Sequence, residues 1–287
     1  MIITKLRGGL GNQLFQYALG RHLALRHQTE LRFDTSYLDN SHQWTYRSFA
    51  LEAFHIQATA ANKTEIKSLK GTFSPWLSKI NLPRHLHTHY YREPYFHFAP
   101  SVLSIPDNTY LDGYWQSEKY FAPIASTIRE DLVMQFPPSG AYQNWSKKIK
   151  STLAVSVHIR RGDYLHYSKS NLYLCTCPQD YYHRALDLLT SQISSSFTLF
   201  VFSDDIEWCK ANLSFSYPTH FVEPHSAPED LWLMASCQHH IIANSTFSWW
   251  GAWLNPNPNK IVIAPLEWFH SGRFDTKDLL PESWLRI

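Results

Sequence analysis

The sequence predicts an α/β protein built on parallel sheets, and three observations support this prediction. In the second half of the chain, short runs of apolar β-formers alternate with stretches of helical periodicity, an order typical of βαβ units with right-handed crossovers. The first residues follow the same order as strand, glycine-rich turn and helix. Charged side chains come directly after the strand at 153–159, and parallel sheets bind ligands at this carboxyl edge.

Composition limits the class of protein before any motif is considered. The 287 residues are enough for two modest domains, and the aromatic content of 15% is typical of a folded chain. Exposed aromatic rings also suit sugars, whose C–H faces stack on them. A net charge of +2 argues against a dedicated nucleic-acid-binding protein.

The cysteines and the N-terminus bear on the location of the protein. The 4 cysteines, Cys175, Cys177, Cys209 and Cys237, are irregularly spaced, which favours reduced thiols over a disulfide framework. The N-terminus lacks the pattern of a signal peptide, and no window of about eighteen residues is wholly apolar. We therefore expect a cytoplasmic protein, with at most a peripheral contact at the inner face of the membrane.

The first elements are a strand at 2–6, a turn at 7–12, a helix at 13–27 and a strand at 31–34. The turn lacks the third glycine of a dinucleotide-binding fingerprint, because Leu14 stands at that position. Gly11 lets a ligand approach the backbone at the start of the helix, where the helix dipole favours anions. The amide groups of Asn12 and Gln13 suit hydroxyls or phosphate oxygens.

The middle of the chain has weaker periodicity and ends at a break near 137–140. The basic residues between 63 and 92 indicate a solvated lid over a cleft, in preference to a surface that touches anionic lipid. His85, His87 and His89 alternate without a nearby acid or cysteine, so we expect no metal site there. Residues 111–121 form an aromatic-polar turn that leads into a helix at 122–134. We place the domain boundary at the break, which divides the chain into 1–148 and 149–287.

The second domain is predicted from its regular alternation. The strands fall at 153–159, 198–202, 220–222, 240–243 and 260–264, and the helices at 141–150, 178–190, 204–213, 228–238 and 245–254. Trp249, Trp250 and Trp253 recur at helical spacing in the last helix, which favours packing in the core over contact with a ligand.

Three clusters of polar residues follow predicted strands in this domain. His158, Arg160, Arg161 and Asp163 follow the first strand, where arginine forks match phosphate oxygens; the alternative is a structural ion pair between Arg160 and Asp163. Ser245 and Thr246 begin the last helix, as ordinary caps or as a phosphate cradle. Ser203 or Asp204 is expected to cap a helix that begins at Asp205, and we prefer this to a divalent metal site.

Five motifs give the chain a resemblance to a known family. They are GGLGNQLFQYALGRHLA at 8–24, GYWQSEKYF at 113–121, HIRRGDY at 158–164, FSDD at 202–205 and NSTFSWWGAWLN at 244–255. In this order they resemble the bacterial α-1,2-fucosyltransferases of glycosyltransferase family 11. The resemblance spans nearly the whole chain, from Gly8 to Trp268.

The resemblance implies a GT-B fold, with two Rossmann-like domains facing across a cleft, and an inverting enzyme that needs no metal and no other cofactor. The donor would be GDP-β-L-fucose and the acceptor the 2-hydroxyl of a terminal β-galactoside, for example in an O-antigen or lipopolysaccharide chain. Arg160 would contact the β-phosphate and the departing oxygen. His158 and Asp230 would recognise guanine. The remaining donor contacts would come from Arg161, Ser245, Thr246, Phe247, Gly11, Asn12 and Gln13, with Asn12 reaching the fucose or the phosphates from the other domain.

The acceptor is expected to meet the first domain, because the donor motifs lie in the second. Glu93, Asp112 and Asp163 are the candidates for a general base. Tyr95, Tyr114, Trp115 and Gln116 combine ring stacking with hydrogen bonding, and for Trp115 packing in the core is an equal alternative. A fucosyltransferase of another linkage, a nicotinamide-dependent oxidoreductase and a sugar-binding lectin are the competing hypotheses. The oligomeric state is left open.

Overall fold

The computed structural model describes residues 1–38, 47–70, 89–162, 164, 176–223, 225–270 and 274–287. Two compact units make up the chain: Met1–Gln135 with Thr276–Leu279, and Phe136–Asp275 with Leu280–Ile287. Every strand pair in the two sheets is parallel. The predicted α/β class is therefore confirmed.

The first unit is a parallel sheet flanked by helices. Its elements are β1 (Ile2–Lys5), α1 (Leu10–His27), β2 (Leu31–Asp34), β3 (Thr59–Ala60), α2 (Lys63–Lys70), β4 (Tyr90–Arg92), β5 (Thr109–Asp112) and α3 (Ala125–Asp131). The sheet order is β3-β2-β1-β5-β4. The chain thus builds outward from β1 in both directions, and the crevice between β1 and β5 is the point at which ligands bind in such sheets.

Helix α1 begins earlier than the sequence predicts. The extended backbone of Gly9 caps it, and Gly8 adopts a φ of 75°, a left-handed value that glycine tolerates best. Apolar side chains of this helix are buried, as at Leu14 and Leu23. Gly20 faces β1 and β2 so closely that a Cβ would lie 2.5 Å from Thr4 Oγ1.

The second unit carries the larger sheet. Its elements are α4 (Gly140–Lys150), β6 (Ala154–Ile159), α5 (Gln179–Gln192), β7 (Thr198–Ser203), α6 (Ile206–Asn212), β8 (Thr219–Phe221), α7 (Ala227–Ala235), β9 (His239–Ile241), α8 (Thr246–Leu254), β10 (Val262–Ala264) and β11 (Leu285–Arg286). The sheet order is β11-β10-β9-β6-β7-β8. The chain order therefore reverses between β6 and β9.

Some elements differ from their prediction for physical reasons. Strands β3, β4, β5 and β11 were not predicted, because they are two to four residues long and show no alternation of their own. The helix expected at 122–134 is a short 3₁₀ turn followed by α3, which ends at Asp131. Trp249, Trp250 and Trp253 are buried, with Trp249 stacked on Trp253 and Trp250 edge-on to both, which confirms their place in the core.

The structure describes only part of the segment between 63 and 92 that is predicted to form a lid. Its first residues form α2, whose Leu69 packs against Ile3 and Tyr110, so this portion belongs to the folded unit and is not a solvated lid. His85, His87 and Cys175 lie outside the described residues. Within the described ranges, none of the helices is long and apolar enough to cross a bilayer.

Candidate functional site

The carboxyl edge of the second sheet gathers the predicted donor residues around the reversal between β6 and β9. His158 and Arg160 stand at the end of β6, and Ser245 precedes α8 after β9. The His158 and Phe247 rings lie 5.8 Å apart. Tyr164 joins the same edge, since its hydroxyl donates to the Asn244 carbonyl at 3.1 Å. The topology thus brings residues nearly ninety positions apart into one crevice.

His158 is a buried imidazole with unused hydrogen-bonding capacity. It is 3% exposed, and its Nδ1 has no hydrogen-bond partner within the described part of the chain. Burial and the neighbouring charge of Arg160 lower the pKa of His158, so the ring is neutral at pH 7. A buried polar atom without a partner costs free energy, which a ligand at this edge would recover.

Arg160 is held by Asp204, the first acid after β7. Its Nη1 lies 3.0 Å from Asp204 Oδ2, and Asp204 Oδ1 accepts the backbone N–H of Arg161 at 2.9 Å. Gly162 leaves room for this carboxylate, because a Cβ there would lie 2.6 Å from Asp204 Oδ2. The expected partner, Asp163, lies outside the described residues. Asp204 therefore orients the arginine toward the edge of the sheet.

Asp205, and not Ser203 or Asp204, caps helix α6. The Asp205 side chain accepts the Trp208 N–H at 3.3 Å, and Ser203 Oγ accepts the Asp205 N–H at 3.0 Å. This corrects the predicted cap by one residue. The error has a simple reason: both acids are good caps, and only the folded chain shows that Asp205 accepts the Trp208 N–H while Asp204 pairs with Arg160.

Arg161 is engaged within the protein. Its guanidinium carbon lies 3.3 Å from the centroid of the Trp208 ring, and its Nε lies 3.5 Å from Asp205 Oδ2. Stacking and charge together hold the side chain on α6. This arrangement favours a role for Arg161 in fixing the loop after β6, whereas Arg160 lies beside Asp204 at the edge of the crevice.

The N-terminus of α8 supplies the second half of the edge. Ser245 Oγ accepts the Phe247 N–H at 3.3 Å and is the N-cap, so the ordinary reading of this serine is correct. Thr246 and Phe247 form the first turn and are partly exposed. Asn244 is buried and donates to the Trp268 carbonyl at 3.1 Å, which anchors the turn. The first-turn backbone amides still give this end of the helix a positive potential.

Asp230 lies in the first turn of α7. It accepts hydrogen bonds from the backbone N–H and the Nδ1 of His225 at 3.3 Å. Burial raises the pKa of Asp230 to about 6, against the opposing effect of His225. A carboxylate of this kind can accept two N–H groups from one planar ligand edge.

The crevice between β1 and β5 holds an amide pair in the first unit. Gln116 Nε2 donates to Asn12 Oδ1 at 2.8 Å, and the Asn12 amide nitrogen lies beside Gly8 of the glycine turn. Gln116 itself is 7% exposed, and its Oε1 has no hydrogen-bond partner in the described ranges. This pairing was not predicted, because 104 residues separate the two side chains.

Gln13, which is predicted to contact the donor, has hydrogen-bond partners within the first unit. The side chain is fully buried: its Nε2 donates to the carbonyls of Gly8 and Ser48 at 2.9 Å, and its Oε1 accepts the Ala50 N–H. The amide thus anchors the glycine turn to the chain beyond it. Gly11 is buried within the first turn of α1.

Of the three candidates for a general base, Glu93 and Asp112 lie in the described residues, and both have partners within the protein. Glu93 accepts the N–H groups of Tyr114 and Trp115 at 2.7 and 2.9 Å, and burial raises its pKa. Asp112 pairs with Arg7 and accepts the Tyr90 hydroxyl at 2.8 Å. Glu93 therefore holds the turn after β5, and Asp112 belongs to a charged cluster.

The aromatic acceptor candidates divide between core and surface. Trp115 is fully buried with a φ of 59° and packs edge-on to Tyr120, which favours the core alternative of its two predicted roles. Tyr95 is 45% exposed and stacks on His97 with the ring centroids 3.9 Å apart. Tyr114 is partly exposed, and the Arg7 guanidinium lies 5.1 Å from its ring centroid.

Sequence reasoning missed several charged residues at these edges. Lys5 and Asp34 end the first two strands and Arg7 follows β1, and their position after apolar runs was a usable signal, as it was for Arg160. Among the described residues, no three His, Cys, Asp or Glu side chains come together as metal ligands.

The comparisons with known proteins agree over the full length of the chain. The family model described as Glycosyl transferase family 11 matches residues 1–287. An α-1,2-colitosyltransferase of Escherichia coli is 33% identical, with 100% of this chain and 99% of that protein covered. The O-antigen biosynthesis glycosyltransferase WbnK of Escherichia coli is 32% identical over 98% of this chain and 99% of its own length.

A solved structure supports the fold. The crystal structure of the fucosyltransferase NodZ from Bradyrhizobium matches with a TM-score of 0.50 at 15% identity, covering 89% of this chain and 93% of that chain. At this identity the likeness concerns the fold alone, and it confirms the predicted GT-B-like class of two Rossmann-like α/β domains.

Proposed function

The chain belongs to glycosyltransferase family 11, and from this premise we propose that it transfers L-fucose from GDP-β-L-fucose to the 2-hydroxyl of a terminal β-galactoside. Family membership makes it a glycosyltransferase and removes the oxidoreductase and lectin hypotheses. The α-1,2 linkage is supported by the name of the colitosyltransferase relative, and an O-antigen acceptor by that of WbnK. The fucose donor is supported by the motifs that resemble α-1,2-fucosyltransferases.

One observation supports the proposed location of the donor site: the crevice between β6 and β9 combines Arg160 with the N-terminus of α8. Cleavage of the bond between fucose and phosphate leaves negative charge on the departing diphosphate. A fixed guanidinium and helix amides stabilise that charge without reorganising in the transition state. We assign the donor to residues 149–287 and the acceptor to residues 1–148.

In this proposal, His158 and Asp230 select a guanine nucleotide over other nucleotides. The guanine edge offers adjacent N–H donors, which an ionised Asp230 can accept, and an oxygen acceptor, toward which His158 can donate. Uracil offers a different pattern, so UDP satisfies these groups less well. Asn12, oriented by Gln116, would donate to the sugar or to a phosphate oxygen.

The stereochemical course we propose is inversion by a single displacement. The acceptor hydroxyl attacks the anomeric carbon as the diphosphate leaves, and no covalent intermediate with the enzyme is formed. Arg160 and Ser245 hold the leaving group, and no metal is required in this proposal. The general base remains unassigned, because Glu93 and Asp112 are engaged by backbone amides and by cations.

Colitose is the second candidate for the transferred sugar. The colitosyltransferase relative is similar over the whole chain, and L-colitose differs from L-fucose only by the loss of the 3-hydroxyl. A site that hydrogen-bonds the 3-hydroxyl rejects the deoxy sugar strongly, because its polar partners are left unsatisfied. Parallel assays with GDP-L-fucose and GDP-L-colitose therefore decide the donor.

Thermal stabilisation tests the nucleotide assignment directly. GDP at a hundredfold excess over its Kd is expected to stabilise the protein by about 2.7 kcal/mol, and UDP and NAD far less. Product linkage is then read by NMR after transfer to β1,3- and β1,4-linked galactosides. Equal stabilisation by UDP and GDP contradicts the guanine site, and a product fucosylated away from the 2-hydroxyl contradicts the linkage.

A further inference from the structure

A row of alternating charges crosses the carboxyl edge of the first sheet. Asp34 is paired in register with Lys5, and Arg92 is paired in register with Asp112. Lys5 and Asp112 lie side by side, with Lys5 Nζ 3.8 Å from Asp112 Oδ2. These four residues end four adjacent parallel strands. Residues that are paired in register point to the same face of a sheet, so the row forms one charged surface.

Two more cations join this row. Lys70 ends α2, which packs on the same face, and its Nζ lies 5.5 Å from the centroid of the Tyr110 ring. Arg7 follows β1, pairs with Asp112 and lies against the Tyr114 ring. We call Lys5, Arg7, Lys70 and Arg92 the basic cluster.

Carboxylates of the described residues do not balance the basic cluster. Asp34 and Asp112 stand in the same row, and Glu93 accepts the N–H groups of Tyr114 and Trp115, so at most three neighbouring acids stand against four cations. Both acids in the row also accept tyrosine hydroxyls, Asp34 from Tyr110 at 2.6 Å and Asp112 from Tyr90 at 2.8 Å. A positive surplus therefore remains at a half-buried edge, where it is poorly screened by salt.

The ionisation of Lys5 reflects this surplus. Burial and the charges of Arg7, Lys70 and Arg92 lower the pKa of Lys5 to about 8, with Asp34 acting in the opposite sense. An anion that bound beside Lys5 would offset this repulsion. Tyr37 and Tyr114 flank the guanidinium of Arg7, with centroids 5.9 and 5.1 Å away, so partly exposed aromatic rings adjoin the cations.

We propose that the basic cluster is an acceptor subsite that binds an anionic oxygen group of the glycan chain, either a sugar carboxylate or a phosphate. The proposal rests on the proposed function for its acceptor, because the cluster shares a sheet edge with the Asn12–Gln116 pair. Cations supply the charge, and the adjoining tyrosine rings suit a sugar face.

A binding experiment tests the subsite without any transfer. With saturating GDP present to fill the donor site, methyl β-D-glucuronide and inorganic phosphate are titrated against the full chain and followed by NMR. We expect both probes to bind, and Lys5→Met and Arg92→Gln each to weaken binding at least fivefold. Lys63→Met, at the exposed start of α2, is the matched control and keeps wild-type binding.

Kinetics then identify the source of the anion. Three acceptors share one terminal β-galactoside: a neutral disaccharide, its glucuronide and its reducing-end phosphate. We expect one acidic acceptor to have a KM about tenfold below the neutral one, and this ratio to fall toward one in Arg92→Gln. The acceptor with the lower KM shows whether the subsite takes the carboxylate or the phosphate.

The outcomes separate this proposal from the proposed function. Absence of transfer to every galactoside contradicts the function, whereas the binding experiment still decides the subsite. Binding of both probes that is equal in wild type, Lys5→Met and Arg92→Gln overturns the subsite, and so does equal KM for all three acceptors in an active enzyme. Arg92 is exposed at the end of β4, so Arg92→Gln keeps the test valid if Lys5→Met fails to fold.

Discussion

At the scale of single residues, the two arginines after β6 have different neighbours. Arg161 lies on the Trp208 ring and beside Asp205, so its guanidinium stabilises the loop. Arg160 is oriented by Asp204 at the edge of the crevice. Both arginines were expected to contact the donor, and their neighbours, which only the fold supplies, now distinguish them.

The first prediction concerns the geometry of Arg160. Arg160→Lys keeps the charge but loses the planar fork, so we expect turnover to fall by about 10²–10³-fold while the protein stays folded. The measurement is kcat at saturating donor together with the melting temperature. Arg184→Lys, in an exposed ion pair on α5, is the control. Near-normal turnover of Arg160→Lys would return this residue to a structural role.

The second prediction concerns Gln116 as a positioning residue for Asn12. Gln116→Leu removes the donor to Asn12 Oδ1, which frees the Asn12 amide to rotate. Loss of one hydrogen bond predicts about a threefold to tenfold fall in kcat, with the affinity for GDP unchanged. Gln116→Glu, which cannot donate, should behave like Gln116→Leu. Wild-type kinetics in both variants would contradict the positioning role.

The third prediction concerns pH and Asp230. With its pKa raised to about 6, Asp230 is protonated below that pH and cannot accept two N–H groups, so the affinity for GDP should fall about tenfold per unit below pH 6. The groups facing it are His225 and Glu229. Calorimetry from pH 5 to 7.5 measures this. Asp230→Asn should bind GDP more weakly and flatten the profile; the ionisation of GDP itself is common to both proteins.

Protonation of Asp230 has the opposite effect on the stability of the fold from its effect on the affinity for GDP. A carboxyl whose folded pKa is raised contributes stability below its unfolded pKa of 3.8, and that contribution is lost as pH rises through 6. Asp230 therefore favours the folded state as pH falls from 6 toward 4. Lower affinity for GDP over this range cannot then be attributed to unfolding caused by Asp230.

At the scale of elements, the ends of short parallel strands and the starts of the helices that follow them place His158, Arg160, Ser245 and Asn12. Both crevices arise where the order of strands reverses, beside β1 in the first unit and beside β6 in the second. A glycine turn or a capped helix start follows each of these positions, so backbone amides face the ligand side. The packing of α1 on its sheet is close at Gly20.

The fourth prediction tests that packing. Gly20→Ala places a methyl group 2.5 Å from Thr4 Oγ1 and 2.7 Å from Leu31 Cδ1, so we expect a loss of about 1–3 kcal/mol in the free energy of unfolding. Gly140→Ala meets no atom within 4 Å and should be neutral or stabilising by up to about 1 kcal/mol. Denaturant unfolding of both variants compares them. Equal stability would show that α1 moves away from the sheet at little cost.

At the scale of the whole molecule, two α/β units of similar design carry different chemistry. The second unit presents Arg160, a buried neutral imidazole and a helix N-terminus, which suit a nucleoside diphosphate. The first presents an amide pair and the basic cluster. This difference is the physical basis for assigning donor and acceptor to separate halves of the chain.

The fifth prediction is that transfer continues in excess EDTA. Arg160 and the first turn of α8 supply positive charge for the diphosphate, and Asp204 and Asp205 are already paired with Arg160 and Arg161. Turnover of protein treated with EDTA should therefore match that of untreated protein within about twofold. Loss of activity that Mg²⁺ or Mn²⁺ restores would show that these acids hold a cation in the working enzyme.

The sequence by itself determined the α/β class, the longer helices, the buried tryptophans and the positions of His158, Arg160 and Ser245. These features are local, because apolar periodicity, glycine and cap positions, and charges at strand ends depend only on residues close in sequence. The same local pattern also explains why the capping acid was placed one residue too early, since Asp204 and Asp205 are equivalent caps on sequence alone.

Only the tertiary structure decided which distant side chains meet. The short strands β4 and β5 have no periodicity of their own and exist because β1 and α2 pack beside them. Their pairing brings Gln116 to Asn12, buries Trp115 and lines up the charges from Asp34 to Arg92. Partner choice across a sheet depends on register and burial, which are properties of the folded chain and not of any single segment.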